Sequence, residues 1–144
     1  MTLLFGRCFT YQKNVAVPDS IKKTKLLTPV DYDNLDNEGL FHGLNYPRIL
    51  SIVDGIIGWD YFYLDGRGPS TSEDVAKFFT TRYDPDKIIF SVGLWGKKTI
   101  VSPEELSNAI HYELRGGARH IWITPNHLIS NGHWEKITQN VLTK

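Results

Sequence analysis

Two hydrophobic periods alternate along the chain, and this alternation restricts its possible folds more than any other feature. Short runs rich in apolar, β-branched and aromatic residues fall at about residues 3–11, 55–64, 87–95 and 118–124. Segments with helical spacing or helix punctuation fall at about residues 46–53, 70–83, 102–115 and 132–142. Strands that alternate with helices in this way form crossovers and a parallel sheet. The pattern predicts an α/β fold of four βα units with a mainly parallel sheet. That sheet is either half-barrel-like or a small open doubly wound one.

Local signals sharpen these boundaries. Ser102-Pro103-Glu104-Glu105 combines a Ser cap, Pro at the first helical position and a Glu three residues after the cap. Gly116-Gly117 ends that helix. Pro47 suits the first turn of the helix at 46–53. The run 55–64 is almost continuously apolar, as expected of a strand covered on both faces. Asp65-Gly66-Arg67-Gly68-Pro69 is turn chemistry, after which Ser70, Thr71 or Ser72 can cap a helix. In the last helix Trp134, Ile137 and Val141 recur at helical spacing. Residues 12–45 carry Pro18, Pro29, Gly39 and Gly43 among many Asp, Asn and Lys, and read as a long irregular insertion in a single domain 1–144. Such a segment either serves function or passes round the edge of the sheet.

Composition excludes several function classes. The chain has 144 residues, 41% hydrophobic and 22% charged, enough apolar material for one folded core. Lys plus Arg and Asp plus Glu both number 16, so non-specific nucleic-acid binding is not expected. No apolar run approaches the roughly 18 residues of a membrane span, and the first residues lack the pattern of a secretion signal. A cytoplasmic protein without membrane association is the expectation. Cys8 is the only cysteine, which excludes an internal disulfide and a Cys-rich zinc site. In mid-strand it reads as a small buried apolar residue. His111-Tyr112-Glu113 matches half of a zinc-deaminase signature, but the Cys pair that would complete it is absent. There is no phosphate-loop or dinucleotide motif either, so no cofactor and no metal are expected.

One stretch carries a family resemblance. The succession Ile52-Val53-Asp54-Gly55-Ile56-Ile57-Gly58-Trp59-Asp60-Tyr61-Phe62, then Lys87-Ile88-Ile89-Phe90-Ser91, then Pro103-Glu104-Glu105-Leu106 and Gly117-Ala118-Arg119-His120-Ile121 resembles the middle and late strands of (β/α)-barrel glycoside hydrolases. The resemblance covers residues 50–125 and implies a carbohydrate-active protein with its site at the C-terminal strand ends. A full barrel needs about 250 residues, so the chain spans roughly half of one. Those hydrolases generally place two catalytic carboxylates, often Glu, at strand ends, and no Glu ends a strand here. The resemblance therefore implies a reduced enzyme, a half that pairs with a partner, or a sugar-binding relative.

Parallel sheets build their sites where strand C-termini meet loops and helix N-termini. Reading those ends selects Tyr11 and Gln12, then Tyr63, Asp65 and Arg67, then Trp95 and Lys97, then Asn126 and His127. Asp60 and Asp65 are the candidate catalytic pair for glycoside hydrolysis, whose carboxyls lie about 5–9.5 Å apart. Extended chain would put them on opposite faces and up to roughly 16 Å apart, so the pair needs a bend after Leu64. The plainer alternative is a buried, satisfied Asp60 and an Asp65 that serves its turn. Tyr63, Arg67, Trp95, Asn126 and His127 are the candidate substrate-binding residues. Trp95 can stack on a sugar or a base with Gly96 leaving its ring room, and Arg67 can clamp a phosphate or carboxylate. His127 and His133 flank the loop after the last strand, where either could be a general base, a metal ligand or simply a surface residue.

Two further readings stay open. Leu64-Asp65-Gly66-Arg67 with Glu73 is faintly similar to nucleoside deoxyribosyltransferases, which implies an enzyme acting on an N-glycosidic bond. Abundant aromatics without a secure catalytic constellation also suit a non-enzymatic interaction module. The expected partners are a small-molecule or oligosaccharide substrate and a second copy of the chain. Open sheet edges favour such a homo-oligomer.

Overall fold

A computed structural model describes residues 2–5, 25–29, 45–96 and 98–142. Five strands form one sheet: β1 (Thr2–Phe5), β2 (Lys25–Pro29), β3 (Gly55–Asp60), β4 (Ile88–Gly93) and β5 (His120–Thr124). Every neighbouring pair is parallel, and the spatial order is β1-β5-β4-β3-β2. From β2 to β5 the strands follow chain order, and β1 lies beyond β5. The molecule is thus an α/β protein with an open parallel sheet.

The helices are α1 (Tyr46–Leu50), α2 (Thr71–Arg82), α3 (Pro103–Arg115) and α4 (Asn131–Ile137), which continues as a π-helical turn over Thr138–Leu142. Alternation along the strands turns Ile56, Ile88, Phe90, Val92, Ile121 and Ile123 to one face, where they are fully buried. Val75 and Phe79 of α2, Leu106 and Ile110 of α3, and Ile137 of α4 complete that core. Tyr46 of α1 packs edge-on against Phe79 at 5.1 Å. The described helices accordingly form one layer, α2 on α3 and α3 on α4. Gly116 permits the closest approach, since a Cβ there would lie 2.6 Å from the Glu73 carbonyl and the Ala76 methyl.

Several boundaries agree with the local chemistry. Ser102 Oγ accepts from the Glu105 amide at 3.2 Å while the Glu105 carboxylate accepts from the Ser102 amide at 3.0 Å, so the expected capping box starts α3. Asn45 caps α1 by accepting from Arg48 N–H at 2.9 Å. Other boundaries differ from expectation. The segment 12–45 is not irregular throughout, because β2 lies within it and pairs with β3 from Lys25↔Gly55 to Pro29↔Trp59. β3 ends at Asp60 rather than Leu64, since the amides of Leu64 and Asp65 both return to the Tyr61 carbonyl, at 2.9 and 3.3 Å. The apolar run continues through that turn because Phe62 is itself fully buried. Ser70 occupies the cap position of α2 without a side-chain cap bond; Thr71 Oγ1 donates instead to the Gly68 carbonyl at 2.8 Å. In the last helix Ile137 is buried but Trp134 is exposed. The strand expected over 3–11 is described only over Thr2–Phe5.

Candidate functional site

The C-terminal ends of β3, β4 and β5 lie side by side. Strand alternation sends Trp59, Ser91 and Trp122 to the face away from the helices, and the register Trp59↔Ser91↔Trp122 sets them in one row. Just beyond that row the rings of Trp59 and Tyr61 stack at 5.7 Å with an interplanar angle of 3°. Trp95 meets Tyr61 edge-on at 5.3 Å and 67°. Gly93 makes this possible: a Cβ there would overlap the Tyr61 ring. Trp59 is 36% exposed, so the outermost ring of the array faces solvent in part.

Hydroxyl groups line the array. Ser91 Oγ and Thr124 Oγ1 are 3.1 Å apart, and Tyr61 Oη lies 3.5 Å from Thr124 Oγ1. The Trp122 indole N–H is buried and finds no hydrogen-bond partner among the described residues. A second edge is built by the hairpin after β4, in which Trp95 and Ile100 form an antiparallel bridge. Tyr63 Oη hydrogen-bonds Thr99 Oγ1 at 3.0 Å, and its ring lies where a Cβ of Gly96 would stand. The Thr124–Pro125 peptide, which closes β5, is cis.

The sequence-selected residues distribute unevenly around this array. Trp95 belongs to it, and Tyr63 flanks it through the shared hairpin. Asp60 ends β3 on the helix side, fully buried, and its carboxyl faces Glu113 of α3. Asp65 is exposed in the turn after Tyr61. Between the two aspartates the chain turns at Tyr61, whose carbonyl accepts from the amides of Leu64 and Asp65. Arg67 is half-buried and its amide donates to the Phe62 carbonyl at 2.8 Å. Asn126 and His127 lie in the short 3-10 turn Asn126–Leu128 after β5, Asn126 half-buried and His127 exposed. Tyr11, Gln12 and Lys97 lie outside the described residues.

Glu113 is fully buried and its carboxyl is held well above the ordinary value of 4.5. Burial is the main cause, because a charge loses its hydration in the core, and the neighbouring Asp60 carboxyl adds to it. Both carboxyls of this pair are fully buried on the helix side of the sheet. Among the described residues no three His, Cys, Asp or Glu side chains gather as metal ligands. No helix there is long and apolar enough to cross a membrane.

Trp59, Tyr61, Ser91 and Thr124 were not selected from the sequence. Trp59 and Tyr61 lie in a run that reads as a strand covered on both faces. The i, i+2 spacing of the two aromatics, with Gly93 available to face a ring, was the signal that could have shown them. No protein-family model, curated protein or solved structure matches the chain.

Proposed function

We propose that the chain binds a carbohydrate at the C-terminal ends of β3, β4 and β5, as a sugar-binding relative of the (β/α)-barrel glycoside hydrolases. The observation that carries this reading is the Trp59–Tyr61–Trp95 array, with Trp59 part-exposed at its outer end. A flat indole face packs against the C–H face of a pyranose, and a few hydroxyls beside it supply directional hydrogen bonds. Ser91, Thr124 and Tyr63 place such hydroxyls around the rings. The chain-order succession of parallel strands from β2 to β5, backed by one helical layer, supports the half-barrel comparison.

Binding is favoured over hydrolysis for a specific reason. Hydrolysis needs two carboxyls reaching one glycosidic bond, and Asp60 is turned into the core toward Glu113. The test is a calorimetric titration with β-linked gluco-, xylo- and chito-oligosaccharides, with nucleosides as a parallel panel. Trp59→Ala is expected to weaken the oligosaccharide complex by about tenfold or more, in the range of a lost aromatic anchor. Unchanged affinity in that variant contradicts the reading, as does binding of nucleosides alone.

A further inference from the structure

Beyond the strand ends, one buried side chain adds a polar link between α4 and the hairpin after β4, both of which also reach the core through Ile137 and Val101. His133 stands at the third position of α4 and is only 4% exposed. Its Nε2 lies 2.9 Å from the Val101 carbonyl oxygen, which can only accept, so Nε2 carries the proton. Nδ1 then accepts from the Ser130 amide at 3.1 Å and from Ser130 Oγ at 2.8 Å. All three bonds are satisfied by one neutral tautomer, and the ring performs two tasks at once. On one side it closes a capping box, in the place where Glu or Gln is usual. On the other it holds Val101.

Val101 is the returning end of the hairpin that carries Trp95 and Thr99. The outgoing end is fixed where the Leu94 amide donates to the Thr124 carbonyl at 2.7 Å, and the two ends meet where the Val101 amide donates to the Leu94 carbonyl at 3.0 Å. Leu94 and Val101 are buried in the core at the base of the hairpin, whereas Ile100 is 48% exposed, so packing holds the base and contributes little beyond it. We propose that His133 is a positioning residue: its Nε2–H tethers Val101 and thereby holds Trp95 edge-on to Tyr61 and Thr99 against Tyr63. The consequence for ligand binding rests on the sugar-site reading above, whereas the tether is a property of the protein alone.

Two substitutions separate the two tasks. In His133→Gln the side-chain amide nitrogen reaches about the place of Nε2 and keeps the donor to Val101. In His133→Asn the shorter side chain replaces Nδ1, keeps the bond from Ser130 and leaves the Val101 carbonyl unpaired. Hydrogen exchange at the Leu94 and Val101 amides reads the hairpin without any ligand. It should quicken by about tenfold in His133→Asn and stay near wild type in His133→Gln. Oligosaccharide affinity should follow the same order. Equal exchange in wild type and a folded His133→Asn overturns the proposal. The imidazole nitrogen spectrum of the wild-type protein must also show His133 protonated on Nε2, and protonation on Nδ1 overturns the tether even if neither variant folds. A loosened hairpin in His133→Asn with no oligosaccharide binding to the wild type would sustain the tether and refute the sugar site.

Discussion

A carboxyl that keeps its proton when folded and loses it when unfolded makes stability fall as pH rises. Glu113 is such a group, since burial and then Asp60 raise it well above 4.5. Below pH 4.5 both states hold the proton and the contribution is complete. As pH rises from there toward the raised folded-state value, the unfolded chain binds fewer protons than the native one, and stability is lost. Glu113→Gln removes this titration while keeping the size of the side chain. Denaturant unfolding across a pH series should show a flatter profile and greater alkaline stability in the variant, and the same slope in both proteins would contradict the assignment. The burial of Asp60 was legible as an alternative in the sequence. Its partner was not, because a Glu three residues after Ile110 on an otherwise apolar face breaks the pattern that marks a core position.

The elements themselves were the most legible level. Caps and turns are short-range chemistry, so the start of α3 at Ser102-Pro103 could be read directly, as could its stop at Gly116. Ser102→Ala removes one half of the capping box and should cost about 1 kcal/mol of stability, measured as a lower urea midpoint at constant slope. No change in midpoint would mean that the box adds nothing beyond solvent. β2 escaped notice for a physical reason as well. Lys25-Leu26-Leu27-Thr28-Pro29 is short and ends in a residue with no amide hydrogen, features that suit a loop as well as an edge strand. It is a strand because it pairs with β3, a contact across some thirty residues of sequence that no local period records. The turn at Tyr61 was missed in the converse way, since a buried Phe62 prolongs the apolar run past the end of the strand.

Over the whole molecule, strand order and site assembly depend on the same long-range pairings. A hydrophobic run declares that a strand exists but not which neighbour it takes, so the position of β1 beyond β5 could not be read from the pattern. For the same reason Trp95 could be selected singly, while its association with Tyr61 and Trp59 required the register of three strands. Among the described strands β1 and β2 stand at the two ends of the sheet, and uncovered sheet edges favour self-association. We predict a homodimer, seen by light scattering as twice the chain mass. A monomer mass independent of concentration would contradict it. The four tryptophans report on the carbohydrate binding proposed at the aromatic array. Trp134 on α4 is 38% exposed, close to the 36% of Trp59, and serves as an internal control. In a heteronuclear spectrum of the indole N–H signals, titration with a bound oligosaccharide should shift Trp59 and Trp95 and leave Trp134 in place. A shift confined to Trp134, or equal small shifts in all four, would contradict the site.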